Sequence, residues 1–184
     1  MITYPNYINY DGTTQFHLAC MANNVALVRE LINLGANVNK QDCNGHTALL
    51  LAKNPEIVKL LLVAGANPDL QDRQSGYTPL LATFIWHNKP KFDLLVPVTN
   101  LDSKTSYGYT ALMLASRLDD LSTIETLINF GVDLYIRNNE GADFYDLLTI
   151  PGKETIALKF PEFMIQRELR KDSVSIKSLS RRIL

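Results

Sequence analysis

The chain lacks most of what would tie it to a membrane, an export route or a reaction. It has 2 cysteines among 184 residues, Cys20 and Cys43, too few to staple a chain of this size. Free thiols of this kind are commonly buried, so both are read as reduced and the chain as cytoplasmic. No apolar run approaches the roughly 18 residues that cross a bilayer. The opening "MITYPNYINYDG" has neither the basic stretch nor the apolar core of a leader. With a net charge of -1 there is no overall field to draw nucleic acid or an anionic surface. Also missing are a phosphate-binding loop, a dinucleotide glycine fingerprint, a His-Glu-x-x-His pair and a nucleophile elbow. The expectation is therefore no enzyme, no catalytic residue and no cofactor. Cys43 and His46 make an isolated Cys-x-x-His, but zinc would want a second pair and none is in sight, so no metal is expected.

What the chain does have is 46% hydrophobic and 20% charged residues, enough to bury a core, and a sentence that it repeats. "LGANVNKQDCNGHTALLLA" from Leu34 returns as "AGANPDLQDRQSGYTPLLA" from Ala64. Aligned on the glycine before the apolar run, the register is Gly12, Gly45, Gly76, Gly108 and Gly141, with spacings of 33, 31, 32 and 33. A period of that size marks a stacked-repeat architecture, because one unit cannot bury its own apolar face. Within each unit the glycine suits a turn with positive φ, and a threonine two residues later caps a helix. Thr78-Pro79 places proline in a first helical turn. Stretches such as "NVALVRELINLG", "NPEIVKLLLVAG" and "DLSTIETLINFG" space apolar residues at i, i+3 and i+4 and stop at glycine, giving a second helix. Between units, Asn- and Asp-rich pieces such as "ANVNKQDCNG" read as hairpins.

These residues, "GTTQFHLA", "GYTPLLA" and "VKLLLVAGANPDLQD", resemble the ankyrin repeat over about Tyr7 to Phe160. The resemblance implies an all-α solenoid of helix-turn-helix units with β-hairpin tips. Units open near residues 9, 42, 73, 105 and 138, so residues 1–152 are assigned to repeats, the last running on to about 160. Two irregularities are expected. Unit two is three residues short at "KNPE", and unit three, "FIWHNKPKFDLLVPVTNLD", lacks the closing glycine. The weak "GADFYDLL" reads as a terminal cap.

The resemblance also implies that the chain binds another protein through its tips and first helices. By register the tip positions include Tyr10, Asn44, His46, Tyr77, Tyr107 and Tyr109, and the ends of first helices add Ile85, Trp86 and Arg117. Aromatic residues and arginine dominate binding hot spots, so the site is expected on units three and four, with Arg117 and His46 at its margin. His17 stands where the family has a histidine that bonds between repeats. Asn39 resembles the hairpin asparagine that some ankyrin proteins have hydroxylated, although a plain turn role serves as well.

From Lys153 the repeat phrase ends and the charge turns to +4, leaving -5 on the rest. Residues 153–184 are read as a basic helical extension, with "PEFMIQRELRK" a short amphipathic helix that covers unit five. "SVSIKSLSRRIL" is a second short helix or a loose end. The whole is expected to be a monomeric protein-binding module with no nucleic-acid partner and no integral membrane segment. The alternatives are a two-partner adaptor, or a secreted bacterial or viral effector acting on a host protein in the host cytosol, with the tail as second docking element.

Overall fold

The computed structural model describes residues 8–180, with side chains to residue 170. Expectations for residues 1–7 and for the end of the tail, Arg181 and Arg182 included, lie outside the described residues. Unit one comprises α1 (Gln15–Met21) and α2 (Val25–Asn33), and unit two α3 (Ala48–Leu51) and α4 (Pro55–Val63). Unit three has α5 (Ala82–Trp86) and α6 (Lys89–Leu95), followed by a 3-10 turn at Val96–Val98. Unit four has α7 (Ala111–Arg117) and α8 (Leu121–Asn129), and the chain ends in α9 (Ile150–Lys159) and α10 (Pro161–Ser180). First helices pack on first helices and second on second, α1 on α3, α2 on α4 and α4 on α6. One core runs through every unit, from Phe16 and Cys20 through Leu49, Ile57, Leu95 and Ala111 to Phe144 and Ile156.

Local chemistry starts the helices of units one, two and four as expected, with Thr14, Thr47 and Thr110 as N-caps; in unit three Thr78-Pro79 opens a turn instead, and α5 begins only at Ala82. The hydroxyls of Thr14, Thr47, Thr78 and Thr110 accept from the backbone N–H three residues on, at 3.3, 3.1, 3.2 and 3.4 Å. Each helix cap among these is worth about 1 kcal/mol. His17 ties the first repeat to the second: its Nδ1 meets Thr14 N at 3.2 Å, and its Nε2 reaches the carbonyls of Lys40 and His46 at 3.0 and 3.2 Å. An accepting Nδ1 and a donating Nε2 define a neutral ring, and burial pushes its pKa below the usual histidine value.

The tips close as tight hairpin turns, with backbone bonds from Asp42 N to His46 O at 3.1 Å, Asp72 N to Tyr77 O at 3.0 Å and Thr105 N to Tyr109 O at 2.9 Å. Among the described residues there is no strand, only an isolated antiparallel bridge between Ile8 and Thr14. An acidic side chain takes further donors within the turn. Asp42 Oδ1 accepts from the N–H groups of Asn44 and His46, at 2.9 and 2.8 Å. Asp72 accepts from Gln74, Ser75, Gly76 and Tyr77. The turns so closed then stack. The amides of Cys43, Arg73 and Ser106 each donate at 2.8 Å to the preceding tip, at Asp11, Asn44 and Ser75, and Asn139 donates to Tyr107 at 3.1 Å. This close approach explains Gly45, where φ is +83° and a Cβ would lie 2.8 Å from Arg73 N. A parallel run of side chains joins the same units: Gln41 to the Gln71 carbonyl at 3.0 Å, Gln71 to that of Lys104 at 2.8 Å, and Lys104 to that of Arg137 at 3.3 Å.

Both expected irregularities are present. In units one, three and four the cap residue of the second helix donates its N–H to a carbonyl near the end of the first: Asn24 to Ala19, Asn88 to Thr83 and Asp120 to Ala115, each at 3.0 Å. The shortening of unit two removes the turn that would carry this donor, and Ala52 turns extended (ψ 127°). Lys91 of α6 supplies the donors instead. Its ammonium, fully buried, sits 2.8 Å from each of the carbonyls of Leu49, Leu50 and Ala52. Burial pushes the Lys91 pKa down to about 7. In unit three the 3-10 turn replaces the closing glycine, and Thr99 and Asn100 bond to Asp69 at 2.6 and 2.8 Å.

The fifth unit has turns where a first helix would stand, and α9 serves as its second helix. Asp143 and Asp146 accept each other's backbone N–H at 3.1 and 3.2 Å, locking that turn. The extension is one helix of 20 residues, longer than the short helix expected. Its first turns pack on unit five. Phe163 lies 5.1 Å from the Phe144 ring and 5.7 Å from Tyr135. Buried Arg167 grips Asp143 at 2.9 and 3.1 Å and also pairs with Asp146.

Candidate protein-binding surface

The residue after each tip glycine, Thr13, His46, Tyr77 and Tyr109 in units one to four, leads from the tip toward the first helix of its unit. In units three and four that position is tyrosine; Tyr77 lines a cleft between α5 and α7, and Tyr109 lies against the Arg117 that edges it. The cleft, about 190 Å³, is lined by Tyr77, Phe84, Ile85, Leu114, Arg117 and Leu118. Arg117, the last residue of α7, lies with its guanidinium 5.3 Å from the centre of the Tyr109 ring, a distance at which the ring face attracts a cation. Among the described residues it has no carboxylate within ion-pair distance. Burial pushes the Tyr77 hydroxyl above the usual tyrosine pKa, with Arg117 pulling the other way and Asp72 adding to the rise, so Tyr77 keeps its proton as a donor. Ile85 and Leu118 are about half exposed. The result is an apolar slot with a cation and a phenol on its edge.

The other residues singled out from sequence fall in different places. Tyr107 projects at the tip of unit four, 70% exposed, while its carbonyl holds the tip of unit five. Trp86 faces unit two, its ring 5.2 Å from both the Lys53 and the Lys91 ammonium groups. One residue beyond Ile85 on α5, it is turned about 100° away from the cleft. His46 is held by Asp42, Nδ1 to Oδ2 at 3.0 Å, and Asn44 accepts from the Gln74 side chain at 3.3 Å. Both serve tip two. Tyr10 stands fully exposed on tip one. Asn39 bridges units two and three, donating to the Gly65 carbonyl at 3.0 Å and accepting from Asn67 N at 2.7 Å.

Sequence reasoning did not pick out Phe84, Leu114 and Leu118 as lining residues. For Leu114 the signal was available in the register, since it precedes Arg117 by three positions on α7; Phe84, one position from Ile85, and Leu118, at the cap of α7, had no such signal. Among the described residues no group of three or more His, Cys, Asp or Glu could hold a metal ion. None of their helices is long and apolar enough to cross a membrane. Cys20 is buried and Cys43 exposed, both as free thiols.

A family model described as ankyrin repeats in three copies matches residues 2–72 and 51–138. The chain belongs to the ankyrin repeat family. It is 33% identical over 132 residues to the mitochondrial disaggregase of Bos taurus, covering 67% of this chain and 19% of that protein. To the human NF-kappa-B inhibitor zeta it is 33% identical over 143 residues, covering 72% and 19%. To the human neurogenic locus notch homolog protein 1 it is 36% identical over 115 residues, covering 59% and 4%. The chain thus spans about a fifth or less of these relatives. Among solved structures, the ankyrin repeat domain of Bcl-3 matches with a TM-score of 0.76 at 27% identity, over 83% of this chain and 71% of that one. Ankyrin repeats are protein-interaction modules, and the Tyr77–Arg117 cleft lies on the tips and first helices of this one.

Proposed function

We propose that this ankyrin stack is a non-enzymatic module that binds a partner protein on units three and four. Tyr77, Tyr109 and Arg117 form the centre, Tyr107 stands on the adjoining tip, and Trp86, His46, Asn44 and Tyr10 are peripheral. The observation that carries this reading is the meeting of Tyr77 and Arg117 on one half-exposed apolar cleft, with Tyr109 against the Arg117 guanidinium, the residue types that supply most binding energy. Fold alone would give only a mode of action; the chemistry of the cleft is what supports this location. The repeats present a preassembled face, so little ordering entropy is lost on binding. The module acts as a monomer in the cytoplasm, with neither cofactor nor nucleic acid, and its free thiols fit a reducing compartment.

The test is a quantitative pull-down from eukaryotic and bacterial lysates. It compares the parent chain with a Tyr77→Ala, Tyr107→Ala, Tyr109→Ala variant shown by circular dichroism to keep its helicity. A protein held by the first and lost by the second supports the site. Equal capture by both sinks it and moves the search to the tail and the first two repeats. A second reading, a two-partner adaptor, draws on α10. While Phe163 and Arg167 face unit five, Ile165 and Leu169, one turn apart, are 61% and 56% exposed. An Ile165→Asp, Leu169→Asp variant that loses one captured protein and keeps another would favour it.

A further inference from the structure

We infer that the cleft between α5 and α7 takes an extended segment of the partner in which one large apolar side chain lies close to a carboxylate. This rests on the protein-binding reading above and adds the chemistry of the occupant. Size speaks for the apolar part. The slot lies between two short neighbouring helices and is lined by six residues, dimensions that suit one aliphatic or aromatic side chain of an extended segment. Its floor and walls, Phe84, Ile85, Leu114 and Leu118, offer such a side chain contact on several sides.

Charge speaks for the carboxylate. Arg117 is exposed and held against Tyr109, and among the described residues no acid pairs with it. A partner that covers the cleft takes water from this guanidinium, and a covered cation without an acceptor is costly. A carboxylate meets that need in the two-pronged geometry that guanidinium favours. The Tyr77 hydroxyl, still protonated, adds a donor to the same group. A lysine or arginine at that point of the partner would be repelled, so the site discriminates by sign as well as by shape.

The experiment pans random peptides displayed on phage against the immobilised full chain in parent, Arg117→Ala, Arg117→Glu and Ile85→Asp forms, each checked by circular dichroism. Parent protein should select peptides with a large apolar residue within a few positions of Asp or Glu. The best peptide, measured by fluorescence polarisation, should bind Arg117→Ala about tenfold more weakly. Changing its acid to the amide should cost the parent the same and Arg117→Ala almost nothing. Arg117→Glu should select Lys or Arg at that place. Peptides that depend on Ile85 but show no acidic preference, or bind Arg117→Ala as well as parent, would overturn this inference and leave the binding-surface reading standing. Failure of the parent to retain any peptide, while the tyrosine-dependent pull-down succeeds, would also overturn it, since the occupant is then no linear segment. Peptides indifferent to Ile85, Arg117 and Tyr77 alike would overturn both.

Discussion

Replacing Lys91 by methionine keeps a long, flexible, apolar stem and removes the ammonium. Three carbonyls, of Leu49, Leu50 and Ala52, then lose their donor. A buried acceptor left alone costs about 1–3 kcal/mol, so the gross loss is of the order of 5 kcal/mol. Against it stands the recovered cost of holding a cation out of water, several kcal/mol. The carbonyls sit at the end of a helix, where partial negative charge favours a cation, and the Trp86 ring adds to that. The net expectation is a loss of about 2 kcal/mol, or a fall in Tm of about 4–8 °C for a chain of this length. Urea and thermal melts of the two proteins measure it. Their pH dependence gives a second readout. Between about 7 in the folded chain and the ordinary 10.5 of the unfolded one, the unfolded chain holds a proton that the folded one has released. Stability from this group therefore rises with pH across that window, by up to about 1.4 kcal/mol per unit, and is lowest below it. The methionine variant lacks the rise. Cys20, whose thiol burial lifts to about 12, destabilises above its ordinary value of 9, and because it and Lys91 act on each other's charge the two proteins are compared below about pH 9. A methionine variant as stable as the parent at neutral pH would refute the idea that Lys91 caps the trimmed helix.

Three further tests address the repeats and the tail. Gly45→Ala and Gly65→Ala impose similar positive φ, 83° and 85°, but a Cβ at Gly65 meets open space; chemical denaturation should show a loss of about 1–2 kcal/mol at Gly65 and about 3 at Gly45. Because burial lowers the His17 pKa from 6.5, the unfolded chain takes up a proton first as pH falls, so stability should drop below about pH 6.5, and His17→Gln should flatten that acid limb of the melt series. Arg167→Ala strands the buried carboxylate of Asp143 and should cost about 3 kcal/mol, whereas a joint Asp143→Asn, Arg167→Met change should recover much of it; equal melts for parent and single variant would mean that α10 does not clasp the stack.

The glycine register and the threonine caps were legible because they act within a few residues: a positive φ needs glycine and a cap needs a hydroxyl, whatever the neighbours do. The shortening at "KNPE" was legible as a count. Its remedy was not, since the need arises in unit two and the donor comes from unit three, and a lysine in the first turn of an amphipathic helix reads as solvated. The clue was positional. Three residues after the second-helix caps Asn24, Asn54, Asn88 and Asp120 stand Leu27, Ile57, Lys91 and Thr123, and Ile57 and Thr123 are buried core residues. The hairpin turns of the tips were legible from their Asn and Asp residues, whereas the Asx side chains that close them, such as Asp42 and Asp72, show only in the structure. In the candidate site, Tyr77, Tyr109 and Arg117 followed from register, while Trp86 required knowing which way α5 is rotated.

The borrowed donor also limits how far these units are interchangeable. Unit two copied elsewhere in the stack, or joined to a different follower, would arrive with three carbonyls and nothing to fill them. Units two and three must be duplicated, swapped or deleted as a pair, so the smallest modular piece here is two periods long, although the sequence counts one.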